Sequence, residues 1–244
     1  MNSLLSGIRS LVRKSGFDLV RYQDELSPID HRRYLEIINK GSFDTIFDIG
    51  ANIGQFAESV LPYVDSKVQV VSFEPMPKEH EVIAQKAKGI SNWTVYDRIA
   101  VGEKQGSASI KITANSVSSS LLEVKKDLQQ ISGLGQVGEV ETPVNSINNI
   151  VKEFPNAKNI FLKADVQGFE EPVINGALEV LDKIGAIHLE LSLIPHYEGQ
   201  GEMHHLISRV VELGYKAVLF LPHTTFNEKG ELLQVDVVFK RKDA

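Results

Sequence analysis

The stretch Phe47-Asp48-Ile49-Gly50-Ala51-Asn52-Ile53-Gly54 constrains this chain most: an apolar strand pattern breaks into glycines and runs straight into a helical pattern, Gln55 to Leu61, stopped by Pro62. Strand, tight loop and helix in that order open a βαβ unit. The alternation continues. Val68 to Phe73 reads as a second strand closed by Glu74-Pro75, Pro77 to Lys88 as a helix ended by Gly89, and Trp93 to Val101 as a third strand leading into an extended Ser107 to Thr113. Further on, a short strand near Val140 to Val144 and a helix from Asn145 to Phe154 precede the strand Ile160 to Val166. Phe169 to Leu181 is helical, Ala186 to Leu193 a strand, Met203 to Leu213 a helix, and Lys216 to Leu221 and Val235 to Lys240 strands. These last two are joined around the Asn227 to Gly230 turn, too closely for a helical crossover, so they pair antiparallel. The pattern predicts an α/β, doubly wound, mostly parallel sheet.

Two segments stand outside this rhythm. Asn115 to Gly138, rich in serine near its start and glycine near its end, is long for a connection inside a compact domain; it reads either as a lid or binding loop or as a solvated insertion. Before the first strand, residues 1–40 read as a helical appendage to a domain spanning 41–244. Leu4, Leu5, Ile8, Leu11 and Val12 fall at helical spacing with Arg9, Arg13 and Lys14 beside them. Such a stripe more often packs on its own domain or on a second copy in a homo-oligomer than on a membrane surface.

Composition narrows the function. With no cysteine, disulfide frameworks, thiolate metal sites and cysteine nucleophiles are excluded. The balance of 26 Lys+Arg against 32 Asp+Glu gives a net charge of −6, without a basic cluster interleaved with aromatics, which argues against nucleic acid as partner. No apolar run reaches the roughly 18–20 residues of a transmembrane segment, and the start lacks the apolar region of a secretory signal, so a cytoplasmic location is expected.

The glycine loop sits where open α/β sheets bind ligands, at the carboxyl end of the first strand. The dinucleotide pattern G-x-G-x-x-G fails, because Asn52 and Gln55 occupy the places of its second and third glycines. A pyrophosphate cradle is therefore not expected, and a nicotinamide-linked oxidoreductase is disfavoured. Glu74 ends the second strand where an acid accepts both hydrogen bonds of a ribose diol. A nucleoside-bearing cofactor without a diphosphate, such as S-adenosylmethionine, is the simplest ligand. Taken singly, Asp48 reads equally as a helix cap, Gly50 and Gly54 as turn residues and Glu74 as a solvated strand end; their order and spacing favour the ligand.

A second strand-to-helix turn, Leu162-Lys163-Ala164-Asp165-Val166-Gln167-Gly168-Phe169-Glu170, again ends in an acid and passes through glycine. Alternation puts Lys163 and Asp165 on one face and, in the next strand, His188, Glu190 and Ser192 on one face. A single histidine in a strand is more often a satisfied core or surface group than a catalyst. Two strand-end carboxylates, Asp165 and Glu190, beside a cofactor are harder to dismiss.

These blocks, with Phe73-Glu74-Pro75, Ser118-Ser119-Ser120-Leu121-Leu122, His188-Leu189-Glu190-Leu191-Ser192 and Gln234-Val235-Asp236-Val237-Val238-Phe239, resemble the FkbM-type methyltransferases. The resemblance runs from about Phe43 nearly to the end. Ala164, where the family often has a larger apolar residue, is a minor departure. The resemblance implies a Rossmann-like class I methyltransferase fold with a seven-stranded sheet and an antiparallel last strand. It also implies S-adenosyl-L-methionine as cofactor and O-methylation of a sugar or polyketide-type hydroxyl on a small-molecule or glycan acceptor. On that reading Glu74 holds the ribose, and the loop Gly50, Asn52, Gly54 holds the methionine part with Asp48 near its ammonium. Asp97, or a neighbour in the Asp97 to Val101 segment, lies at the adenine edge, and Asp165, Glu190 and His188 serve the acceptor side. A divalent cation is disfavoured, since the sequence offers no evident third oxygen ligand. The rival reading is a non-catalytic nucleoside-binding or interaction module with the same fold.

Overall fold

The computed structural model describes residues 28–113, 120–125, 136–223 and 229–242. Helix α1 (Pro28–Lys40) leads into β1 (Thr45–Ile49), α2 (Gln55–Val60), β2 (Gln69–Phe73), α3 (Pro77–Ala87) and β3 (Trp93–Val95). Then follow β4 (Ala100–Val101), β5 (Gly106–Thr113), β6 (Gln136–Asn145), α4 (Ile147–Ile150), β7 (Ile160–Ala164) and α5 (Glu170–Asn175). The chain continues through β8 (Ile184–Ser192), α6 (Met203–Glu212), β9 (Tyr215–Pro222) and β10 (Gln234–Arg241). The main sheet has seven strands in the order β3-β2-β1-β7-β8-β10-β9, and β4, β6 and β5 form a second, three-stranded sheet. β10 runs antiparallel to both its neighbours, β8 and β9, while the other pairings of the main sheet are parallel. This is the doubly wound sheet with an antiparallel last strand that the sequence predicts.

Alternation sends each strand's residues to two separate cores. Phe47, Ile49, Leu162, Leu189 and Phe239 meet Ile150, Val173, Ile174 and Val210 from α4, α5 and α6. On the other face Ile46, Phe161, Ala186 and Val238 meet Tyr34, Leu35 and Ile38 of α1, Ala57 and Val60 of α2 and Ile83 of α3. Strands buried on both faces read as nearly continuous apolar runs. The exceptions therefore carry information: Ser72, Asp48, Lys163 and His188 are register partners across β2, β1, β7 and β8, forming one buried polar row beneath the α1–α3 layer.

The structure revises several sequence expectations. Trp93 to Val101 is not one strand: the chain leaves the main sheet after Val95, and Ala100–Val101 pairs with β6 in the second sheet. β6 begins at Gln136, so the end of the segment read as a loop is strand, paired with β5. The helix expected over Phe169 to Leu181 is two pieces, α5 and a 3₁₀ turn at Leu178–Lys183, broken at Gly176, where a Cβ would lie 2.1 Å from the Gly102 carbonyl oxygen. The apolar stripe of residues 4–12 lies outside the described residues, as does the first half of the Asn227 to Gly230 turn. Among the described residues no helix is long and apolar enough to cross a membrane.

The two turns that end β1 and β7 touch. At Gly50 the backbone has φ +73°, and an added Cβ would stand 1.8 Å from the carbonyl oxygen of Asp165. Neither the left-handed conformation nor the contact tolerates a side chain. Gly50→Ala is expected to lower the unfolding free energy by about 2 kcal/mol or more in denaturant titrations; a change within about 0.5 kcal/mol would contradict this packing.

Candidate active site

The site is built where β1 and β7 lie side by side and their following helices turn away to opposite faces of the sheet. Gly50 and Ala51 each donate a backbone N–H to the Phe73 carbonyl, at 3.1 and 3.0 Å, which ties the glycine loop to the end of β2. Glu74, 5% exposed, braces the same loop: one carboxyl oxygen accepts the N–H of Asn52 at 2.7 Å and the other that of Met76 at 2.8 Å. Burial pushes its pKa up to about 7, against the pull of those two amides. Asn52 has φ +49° and its Oδ1 accepts the N–H of Ile53 at 2.7 Å; Gly54, at φ +88°, turns the chain past the Trp93 ring into α2. Asp97 is exposed, just past the end of β3.

Beneath the loop, Asp48 is fully buried, 3.2 Å from the Lys163 ammonium and accepting from Ser72 Oγ at 3.2 Å. Lys163 Nζ also donates to the Gly50 carbonyl at 3.3 Å, lies 3.5 Å from Asp165 and sits over the Phe56 ring. Burial alone would lower the lysine's pKa, but the Asp48 and Asp165 carboxylates outweigh it and hold the ammonium charged. One cation thus joins the loop, the core of β1 and the end of β7.

On the far side of that cation, Gln167 Nε2 donates to Asp165 Oδ1 at 2.9 Å and to Glu190 Oε2 at 2.6 Å. The two expected strand-end carboxylates do meet. Burial, then Asp165 and Asp236, push Glu190 well above the ordinary carboxylate range. Gln234 Nε2 donates to the same Glu190 oxygen at 2.9 Å, and His223 Nδ1 lies 3.7 Å from the other. Asp236 stands between two imidazoles, His188 Nε2 at 3.2 Å and His223 Nε2 at 3.1 Å; despite burial they hold its pKa below the ordinary value. His188 is 6% exposed and its Nδ1 pairs with the Tyr34 hydroxyl of α1 at 2.8 Å. It therefore joins the Glu190–Asp236 cluster through Asp236 and not directly.

Gln167 (φ +53°) belongs to a turn held by Glu170, whose carboxyl accepts the N–H groups of Val166 at 3.2 Å and Gly168 at 3.1 Å and is raised to about 7 by burial. The described part of the long serine-rich segment lies on this turn. Ser120 Oγ donates to the Gln167 carbonyl at 2.7 Å, Tyr197 OH donates to Gln167 Oε1 at 3.2 Å, and Glu123 and Lys125 pair with Glu198 and His196. Sequence reasoning assigned no role to Gln167, Tyr197, His223, Gln234 or Asp236. Alternation along Gln234-Val-Asp236 was the available signal for the last two; the left-handed turn at Gln167 and the approach of His223 leave none.

The sheet order and the strand-end site define a class I methyltransferase fold. The Methyltransferase FkbM domain matches residues 48–217, and the chain belongs to that family. No curated protein matches the chain. Among solved structures, an O-methyltransferase from Bacillus cereus in complex with SAH is 14% identical with a TM-score of 0.49, over 98% of this chain and 91% of that one. An rRNA methylase from Streptococcus thermophilus is 10% identical with a TM-score of 0.47, over 91% and 99%. A precorrin-6y C5,15-methyltransferase from Geobacter metallireducens is 11% identical with a TM-score of 0.44, over 91% and 93%.

Removing one partner of a buried ion pair leaves an uncompensated charge and costs about 3–5 kcal/mol. Lys163→Met is expected to lose stability in that range by chemical denaturation, with Asp48 stranded beneath the loop. A loss below about 1 kcal/mol would show that Lys163 does not hold this corner.

Proposed function

We propose that the chain is an S-adenosylmethionine-dependent O-methyltransferase acting on a hydroxyl of a sugar or polyketide-type small molecule or glycan. The observation that carries this is the pair of acidic strand ends flanking one glycine loop: Glu74 beside Asn52 on one side, Asp165 with Glu190 on the other. Ligands of open α/β sheets bind in the crevice outside such strand ends. The residues fit the cofactor. Each Glu74 oxygen is used by one backbone amide and keeps a second lone pair for a ribose hydroxyl. Beyond the Asp48–Lys163 pair, Asp165 and the ionised fraction of Glu74 leave the crevice net negative, which suits a ligand carrying sulfonium and ammonium charges.

When bound, S-adenosylmethionine supplies an electrophilic methyl group on a sulfonium. The chain's own work is to orient the acceptor, exclude water and take a proton. Glu74 holds the ribose; the Gly50 to Gly54 loop seats the methionine part, with Asp97 at the adenine edge. Asp48 acts on the ammonium through its field, since Lys163 and Ser72 occupy its oxygens. Asp165 is the base: its side chain is 34% exposed and faces Lys163, whereas Glu190 is nearly enclosed. The same acidic lining repels phosphate backbones, which supports a glycan or small-molecule acceptor over nucleic acid. Residues 41–244 form the catalytic unit, and 1–40 an appendage whose α1 docks through Tyr34 onto His188.

Glu74→Ala should weaken S-adenosylhomocysteine binding at least tenfold by calorimetry, because each charge-assisted bond to the ribose contributes about 1.5–3 kcal/mol. A folded variant that binds as tightly as the parent would refute the ribose role. Asp165→Asn should cut methyl transfer to cell-extract glycan and small-molecule fractions about 10²–10⁴-fold while leaving cofactor affinity near parental. Parental turnover would remove Asp165 from the chemistry, and cofactor binding without any methylated product would favour a non-catalytic nucleoside-binding module.

A further inference from the structure

We propose that Glu190, His223 and Asp236 form a binding site for a divalent first-row cation on the acceptor side of the crevice. Glu190 and Asp236 are direct register partners on the antiparallel strands β8 and β10. Like charges placed opposite each other destabilise a sheet unless something compensates them. Here a third carboxylate, Asp165, joins the pair through Gln167. One ligand atom from each of Glu190, His223 and Asp236 falls within 4.8 Å of the others.

Each carboxylate has one oxygen held from behind and one facing the His223 ring, of which a single nitrogen would serve as ligand. Glu190 Oε2 is taken by Gln167 and Gln234, at 2.6 and 2.9 Å, while Oε1 faces His223 Nδ1 at 3.7 Å. Asp236 Oδ1 is taken by His188, itself fixed by the Tyr34 hydroxyl at 2.8 Å, while Oδ2 faces His223 Nε2 at 3.1 Å. Donors outside the set thus orient its oxygens, the usual arrangement around metal-binding carboxylates. Oxygen and nitrogen ligands sit about 2.0–2.2 Å from such a cation, so donors at these separations close on it by side-chain rotation. Two carboxylates and one imidazole, without thiolate, suit Mn²⁺ better than the all-oxygen preference of Ca²⁺. The sequence lacked an evident third ligand for Asp165 and Glu190; the fold supplies Asp236 from β10 and His223 from just past the end of β9.

The use of the site rests on the methyl-transfer reading: a cation beside Asp165 lowers the pKa of the acceptor hydroxyl whose proton Asp165 takes. Its existence is tested without that reading. Chelator-treated protein is titrated with Mn²⁺ alone, by calorimetry and by the loss of the free-ion electron paramagnetic resonance signal. One Mn²⁺ per chain is expected, and His223→Ala and Asp236→Asn should each weaken it at least tenfold while leaving S-adenosylhomocysteine affinity unchanged. His204→Ala, in the exposed His204–His205 pair on α6, should leave Mn²⁺ binding unchanged. Because the His223 side chain is 25% exposed, its variant keeps the fold in which the comparison is made. Wild-type protein that takes up no Mn²⁺, or a His223→Ala variant that binds it as tightly, would overturn the site. Mn²⁺ binding without S-adenosylhomocysteine binding would keep the site and discard the methyl-transfer reading; the reverse result would do the opposite.

Discussion

The ion pair between Asp48 and Lys163 underlies the whole carboxyl end of the sheet. Asp48 is fully buried and Lys163 nearly so, and a buried charge is tolerated only when its partner and further hydrogen bonds satisfy it. Lys163 meets that demand in several directions, toward Asp48, the Gly50 carbonyl and Asp165. Ser72 and the Trp93 indole extend the row, since Trp93 Nε1 donates to Ser72 Oγ at 3.0 Å and Ser72 Oγ to Asp48. The place where the order of the strands reverses is therefore also the place where a polar network crosses the core, and it joins β1 to β7 more specifically than apolar packing would.

Around that pair, the same device braces two turns. Glu74 after β2 and Glu170 after β7 are both buried, both accept a pair of backbone N–H groups, and both are raised to about 7 by burial. Turns that carry left-handed residues such as Asn52 and Gln167 need their backbone donors satisfied internally. A carboxyl does this with lone pairs to spare. Removing Glu74 therefore loosens the loop as well as the proposed ribose contact.

Much of this was legible in the sequence where a residue's role follows from local period. The strands β1, β2, β7, β8 and β10, the hairpin of the last two strands and the convergence of Asp165 with Glu190 all follow from alternation and the order of elements. What alternation does not carry is long-range register. Trp93 to Val101 reads as one strand because every local preference allows it, yet Ala100–Val101 finds its partner in β6, far along the chain. His188 reads as a candidate catalyst on the right face, but only the fold shows Tyr34 of α1 covering it and Asp236 standing between it and the crevice. His223 and Gln167 escaped notice because their positions depend on turns whose geometry no short pattern specifies.

On the proposed function, the Gly50 loop and Glu74 bind a nucleoside cofactor lacking a diphosphate. The most direct measurement is calorimetric titration of the wild-type chain with S-adenosylhomocysteine and, separately, with NAD⁺. Saturable binding of one S-adenosylhomocysteine per chain is expected, with no detectable heat of binding from NAD⁺. Saturable NAD⁺ binding, or no binding of S-adenosylhomocysteine by folded protein, would contradict it.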